Sequence, residues 1–364
     1  MKKIFVDVYL SFNFGDDLFL DILANKFPTC EFTVNYVGAN YDTFLSRYDN
    51  VKRRKYTTLN KIFQNLKIKD TLTDYQTIAK EQDALVFIGG SIFREESFHQ
   101  ALYDDRMKMV QAFRDLNKPV YVIGANFGPV KTQAFVNDYR KFYELCEDVC
   151  FRDQASYEMF KEMSNVRLAP DVVFGLDVVS YQNNTPLKRV GFSIIDVNHK
   201  DGLSIYEQEY IEATIETIKK LSQEGYECWL LSFCANEGDL KVIEKIKAGL
   251  PDKLVNKIKV YDYQGDIEGL LTLMSTFDMC VAARFHANII SLLLNVGVMP
   301  VIYSSKTTNM LKDLSLDGLL IEMNDLSKMY EDKHLRDSFS NKLINEEVQI
   351  EAGRQFEKLA KFIG

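Results

Sequence analysis

The residues best placed to do chemistry are Arg284 and His286, in the stretch Ala283-Arg284-Phe285-His286-Ala287. A strand-like apolar run, Asp278 to Ala283, ends at the arginine, and a helix-like apolar run starts from Ala287. Open α/β sheets hold ligands outside the carboxyl end of a strand, at the N-terminus of the next helix. A fixed cation, a titratable imidazole and helix N–H groups then converge on one spot. Such a spot suits a small, doubly anionic substrate that must also gain or lose a proton.

Other strand-to-helix junctions carry further candidates. Asn13-Phe14-Gly15-Asp16 follows the first strand; Gly15 lets backbone approach a ligand, and Asp16 either binds or caps the helix. Gly89-Gly90-Ser91 and Gly124-Ala125-Asn126 close two more strands. Arg152 ends another, where a guanidinium grips a carboxylate or phosphate, or else pairs with Asp153 or Asp171. Asp171, after Ala169-Pro170, either contacts a sugar hydroxyl or ends a strand. Glu237 and Asp239 are acid–base candidates, with the N-cap of a helix as the competing reading for Asp239. Tyr303 and Lys306 follow the last strand of the second series, where the lysine is placed to hold a phosphate. No G-x-G-x-x-G, P-loop or G-x-S-x-G elbow is present, and no His/Cys/carboxylate set has metal-site spacing. A nicotinamide cofactor or a resident metal is therefore not expected.

The elements that position these residues alternate, strand then helix, from end to end. Ile4–Leu10, Phe32–Val37, Ala84–Ile88, Val120–Ile123 and Val149–Arg152 read as strands of a first series. Helices are predicted from Asp16 to Lys26, Asp105 to Asn117, Thr132 to Cys146, and from an Asp153 cap to about Met163. The second series has strands Val190–Ile195, Cys228–Phe233, Ile258–Tyr263, Asp278–Ala283 and Met299–Tyr303. Its helix Tyr206–Gln223 places Tyr210, Ile211, Ile215, Ile218 and Leu221 on one face, and Gly225 stops it. This rhythm predicts two α/β domains with parallel sheets, residues 1–182 and 187–345. The polar stretch Ser180 to Pro186 is the linker, and a long helix from Glu346 to Ile363 is expected to cross back to the first domain. A cleft between two such domains is the expected active site.

The 364 residues suffice for two cores, with 46% hydrophobic and 26% charged residues. A net charge of −8 argues against non-specific nucleic-acid binding, which needs a basic field. The six cysteines form no CxxC pair and sit mostly in apolar runs, as buried thiols of a reducing cytosol do. Asp7 interrupts the first apolar run, which reads as a strand rather than a signal peptide, and no run nears the ~20 apolar residues of a membrane span.

Taken in order, Asn13-Phe14-Gly15-Asp16, Gly89-Gly90-Ser91, Gly124 with Gly128-Pro129, Arg152 to Ser156, Pro170-Asp171, Arg284 to Ala287 and Tyr303 to Lys306 resemble the polysaccharide pyruvyl transferase family. The resemblance implies a two-domain fold like that of GT-B glycosyltransferases. It also implies transfer of a pyruvyl group from phosphoenolpyruvate to a sugar or lipid-linked oligosaccharide, usually as a cyclic ketal, with no cofactor beyond the donor. His286 would move protons and Arg152 would orient the reactants. Arg284 and Lys306 would hold the donor's anionic ends, with Asn13, Gly15, Asp16, Gly90, Ser91, Asn126, Asp171 and Tyr303 binding substrate. The expected location is the cytoplasm, at the inner face of the membrane for a lipid-linked acceptor; no oligomeric state follows. The chain departs from the family at Phe233-Cys234-Ala235-Asn236, where members often carry a histidine. A nucleotide-sugar glycosyltransferase on the same fold and an inactive glycan-binding member are the alternatives.

Overall fold

Unbroken apolar runs become strands buried on both faces, as parallel sheets demand. Ala84–Ile88 and Val120–Ala125 are buried at every position, and so is Gly297–Ile302. The computed structural model describes residues 1–56, 60–62, 72–181, 187–343 and 347–364. It divides into two units, Met1–Leu10 with Phe19–Gly175 and Gln349–Gly364, and Ser11–Leu18 with Leu176–Val348.

Among the described residues the first unit holds seven parallel strands: β1 (Lys3–Asp7), β2 (Glu31–Val34), β3 (Val51–Arg53), β4 (Ala84–Ile88), β5 (Val120–Ala125), β6 (Asp148–Phe151) and β7 (Val166–Leu168). Their order is β3-β2-β1-β4-β5-β6-β7. The second unit orders β8 (Arg189–Ile194), β9 (Glu227–Ser232), β10 (Lys259–Asp262), β11 (Met279–Ala282), β12 (Gly297–Ile302) and β13 (Ile321–Glu322) as β10-β9-β8-β11-β12-β13. Each order reverses once, between β1 and β4 and between β8 and β11. Those reversals are the switch points at which such sheets bind ligands.

The cores differ in kind. The first unit interlocks rings: Phe93 meets Tyr139, Phe142 and Tyr143 at 5.1–5.8 Å, mostly edge to face. The second is mainly aliphatic, and the predicted face of helix Glu207–Gln223 is its centre, with Tyr210, Ile211, Ile215, Ile218 and Leu221 all buried. All six cysteines are buried free thiols. Among the described residues no helix is long and apolar enough to cross a membrane.

Several expectations need correction. Ser11–Leu18, expected in the first domain, groups with the second unit. Phe14 donates its N–H to Phe233 O at 3.0 Å and packs edge-on against the Phe233 and Tyr263 rings. Of the linker, Gln182 to Pro186 lie outside the described residues, as does Glu346. The long final helix is interrupted: Glu347–Ala352 and Glu357–Ile363 flank a 3-10 turn, Gly353–Phe356. That turn aims Gln355 inward, where its amide donates to Ala169 O (2.8 Å), Pro170 O (3.0 Å) and Phe151 O (3.3 Å) and accepts from Gly124 N (2.9 Å). The helix capped by Asp153 ends at Glu158, not Met163, because Phe160 turns into the aromatic core. The helix placed at Asp105–Asn117 runs from His99 to Arg114. The short strands β3 and β13 carry too little pattern to be read from sequence.

Candidate functional site

In the second unit, four strand ends deliver the site. Arg284 is the N-cap of helix Phe285–Leu293; its N–H donates to Ser193 Oγ at 3.0 Å and its Nε to Ile194 O at 3.4 Å. The guanidinium thus reaches over the end of β8, across the switch point. It is 6% exposed, and both terminal nitrogens meet carboxylates: Nη1 donates to Glu237 Oε2 at 2.6 Å and Nη2 to Asp239 Oδ1. Glu237 gathers two more donors, Lys200 Nζ at 2.8 Å and Asn13 Nδ2 at 3.2 Å. Burial alone would push the Glu237 carboxyl up, but the Arg284 and Lys200 charges outweigh it and hold it well below the usual range. Asp239 goes the other way: burial raises it against the pull of Arg284. Arg284 itself is held above its ordinary value, its own desolvation outweighed by Asp239 and Glu237.

Asp239 is not the N-cap weighed from the sequence. Gly238 occupies that position with φ 89°, and the Asp239 carboxylate accepts instead from Phe233 N (3.0 Å) and Cys234 N (2.9 Å). Nor does Asp16 cap its helix. Asn13 does, its Oδ1 accepting from Gly15 N at 3.1 Å, while Asp16 lies half-buried in the first turn. Neighbouring Asp17 is fully buried and accepts from Tyr263 Oη at 2.8 Å.

His286 is half-buried one residue beyond Phe285, and Gly15 lies against its ring: a Cβ on that glycine would overlap Nδ1. Close approach, not backbone conformation, explains the glycine. Tyr303 and Lys306 stand at the end of β12, with Lys306 Nζ 5.5 Å from the Phe285 ring centre and 5.8 Å from that of Tyr303. Lys200 Nζ is 5.6 Å from the same tyrosine ring. Burial would raise the Tyr303 phenol, but Lys306, Lys200 and Arg284 together pull it below its usual value.

In the first unit Arg152 closes β6. Its Nη1 donates to Asp171 Oδ2 at 2.7 Å and its Nη2 to Asn126 Oδ1 at 2.5 Å and Ser91 Oγ at 3.5 Å. Both members of the Arg152–Asp171 pair are nearly inaccessible, at 3% and 1%. Asp171 is therefore the counter-ion, and its other oxygen accepts from Val173 N at 2.9 Å. A Cβ on Gly90 would overlap the Arg152 guanidinium, so this glycine too is fitted to a functional candidate. Asp153 caps its helix through Ser156 N at 2.9 Å, as expected.

The predicted residues thus assemble as two clusters, Gly90, Ser91, Asn126, Arg152 and Asp171 in one unit and Asn13, Gly15, Arg284, His286, Tyr303 and Lys306 in the other. Sequence reasoning missed Lys200. It lies in the polar loop beyond β8, where its place after a strand is the one signal that could have found it.

A polysaccharide pyruvyl transferase family model matches residues 13–305. The amylovoran biosynthesis protein AmsJ of Erwinia amylovora is 23% identical over 284 residues, covering 72% of this chain and 67% of that protein. Among solved structures, Anabaena HepE in complex with UDP superposes with a TM-score of 0.59 at 15% identity, covering 100% of this chain and 99% of that one. S. aureus MnaA with UDP gives 0.58 at 9% identity over 96% and 94%. These likenesses show a fold of GT-B type. The stretch covered by the family model contains every strand-end residue described above except Lys306, and the chain belongs to the polysaccharide pyruvyl transferase family.

Proposed function

We propose that the protein transfers a pyruvyl group from phosphoenolpyruvate to a saccharide and closes it as a cyclic ketal. The observation that carries this reading is the second unit's juxtaposition of an imidazole with three cations. His286 is seated against Gly15, two residues along from Arg284, which shares Glu237 with Lys200, and its ring neighbours that of Phe285, over which Lys306 lies. Phosphoenolpyruvate presents a carboxylate and a phosphate, and its chemistry needs a proton delivered to carbon.

In the proposed reaction the methylene carbon takes a proton and becomes the methyl group, leaving positive charge at C2. A saccharide hydroxyl adds to C2 and loses its proton. The C2–O bond to phosphate breaks, phosphate leaves carrying one proton, and a neighbouring hydroxyl closes the ketal with loss of its own. His286 is assigned the proton transfers, a role worth about 10²–10⁴-fold. Lys306 and Arg284 are assigned to the donor's anionic ends. The grip of Arg284, Lys200 and Asn13 on Glu237 illustrates how an oxyanion is held here. Arg152 is assigned to orient reactants and to stabilise developing charge, with Asn126, Ser91 and Gly90 shaping its surroundings.

The test is incubation with phosphoenolpyruvate and a panel of lipid-linked and free saccharide acceptors. Phosphate release is followed alongside the mass of the product. Phosphate release with a saccharide that gains one pyruvyl ketal supports the reading. Glycosyl transfer from a UDP-sugar, with phosphoenolpyruvate inert, would replace it with the glycosyltransferase reading to which the fold is also suited.

A further inference from the structure

A cavity of about 440 Å³ opens in the second unit at the carboxyl ends of β12 and β13, a volume that suits a small ligand. Its lining includes the rings of Tyr206 and Tyr303, Ser304 and Ser305 at the start of helix Ser305–Asp313, and Glu322 and Asn324 just past β13. None of the roles assigned above to Arg284 and His286 uses Tyr206, Ser304, Ser305, Glu322 or Asn324.

The walls are of opposite character. On one side is the N-terminus of a nine-residue helix, where N–H groups and the helix dipole favour an anion. Lys306 lies in its first turn. Tyr303, on the same side, senses the positive charge: Lys306, Lys200 and Arg284 bring its phenol down despite burial. Ser304 is the N-cap residue but makes no capping bond, and among the described residues its buried Oγ has no hydrogen-bond partner. With no side-chain cap, the start of this helix keeps backbone N–H groups that a ligand's oxygens can take. On the other side the exposed Glu322 carboxylate and Asn324 amide offer acceptors and donors for hydroxyl groups. Between them the tyrosine rings offer apolar faces of the kind on which a sugar ring packs.

A bare anion does not fit this polarity, because Glu322 opposes it; a neutral sugar leaves the helix end unused. We infer that this cavity binds a phosphorylated saccharide, with phosphate at the start of helix Ser305–Asp313 and hydroxyls toward Glu322 and Asn324. The inference deepens the saccharide-modifying reading and rests on it for the ligand's being a sugar. It is tested by binding alone, with no phosphoenolpyruvate present, so its failure is separable from a failure of pyruvyl transfer.

Calorimetric titration of the full chain with glucose 1-phosphate, UDP-glucose, glucose and inorganic phosphate makes the test. Saturable binding of glucose 1-phosphate, about tenfold or more tighter than glucose or phosphate alone, is expected. If UDP-glucose binds still tighter, the sugar phosphate arrives as part of a nucleotide; if it binds no better, the nucleotide contributes nothing. Glu322→Ala and Asn324→Ala, both exposed and so tolerated by the fold, should each weaken glucose 1-phosphate by about tenfold. His286→Ala should leave its affinity unchanged. Absence of binding by either phosphorylated sugar, or affinity that falls in His286→Ala and not in Glu322→Ala, overturns the inference.

Discussion

The arginines that end β6 and β11 look alike in sequence and differ in what surrounds them. Arg152 meets one carboxylate, Asp171, and two neutral oxygens, those of Asn126 and Ser91. Arg284 meets two carboxylates, Glu237 and Asp239, and the first of these is shared with Lys200. The first is a closed pair in which charge is balanced one to one. The second belongs to a network in which Arg284 and Lys200 meet Glu237 and Asp239, with Lys306 close by over the Phe285 and Tyr303 rings. A closed pair rigidifies its surroundings; a shared network with a further lysine beside it is better suited to accept an additional anion. The contrast fits the proposed assignment of donor recognition to Arg284 and of an orienting role to Arg152.

The largest effect expected from breaking this contrast is on turnover. His286→Ala should lower pyruvyl transfer about 10²–10⁴-fold while circular dichroism and thermal midpoint stay at wild-type values. Retention of near-full ketal formation would remove His286 from the reaction.

Next in size is the loss of each arginine. Arg284→Gln strands the fully buried Asp239 carboxylate and takes one of three donors from half-buried Glu237, and should destabilise the second unit by about 3–5 kcal/mol. The single tryptophan, Trp229, lies in β9 and reports that unit's unfolding by fluorescence. Arg152→Gln strands only Asp171 and keeps neutral partners within reach, so its cost should be smaller. Equal losses would erase the distinction drawn here.

The glycines sharpen it further. Gly15→Ala forces the His286 ring aside and should reduce turnover about 10²-fold with little change in stability, as small misplacements of a reacting group do. Gly90→Ala presses on the Arg152 guanidinium and its buried pair, and should cost about 1–3 kcal/mol of stability, read by thermal denaturation.

The smallest effect is a pH dependence. The folded Glu237 carboxyl lies below its usual 4.5, so its ionised form stabilises the fold. That contribution is complete above pH 4.5 and is lost as pH falls through the lower, folded value. The stability gap between wild type and Glu237→Gln should therefore be flat at neutral pH and shrink only under acid. A gap that widens below pH 4.5 would contradict the ion network.

Much of this site was legible because strand-end rules act on local sequence. Arg284 and His286 follow an apolar run, Gly15 and Gly90 sit at strand-to-helix turns, and Arg152 precedes a cap. What escaped is what depends on distant partners. Arg152 had two carboxylates within reach of a guess, Asp153 and Asp171, and only the sheet decides for Asp171. Asp239 looked like a cap because its long-range partner, Arg284, is 45 residues away. Lys200 sits in a polar loop with no periodicity to mark it. The assignment of Ser11–Leu18 to the second unit is invisible locally, since it depends on Phe14 meeting Phe233 and Tyr263.

Gln355 has a consequence for anyone handling this protein. One fully buried amide from the carboxyl-terminal tail plugs into the peptide groups of Gly124, Phe151, Ala169 and Pro170, immediately beside both Arg152 and Asp171. The tail is thus a keystone next to Arg152, although it lies some two hundred residues downstream in the chain. Trimming the last ten residues to improve expression, which leaves the second unit's residues untouched, would strip four backbone groups of their partner and slacken the arginine's mounting.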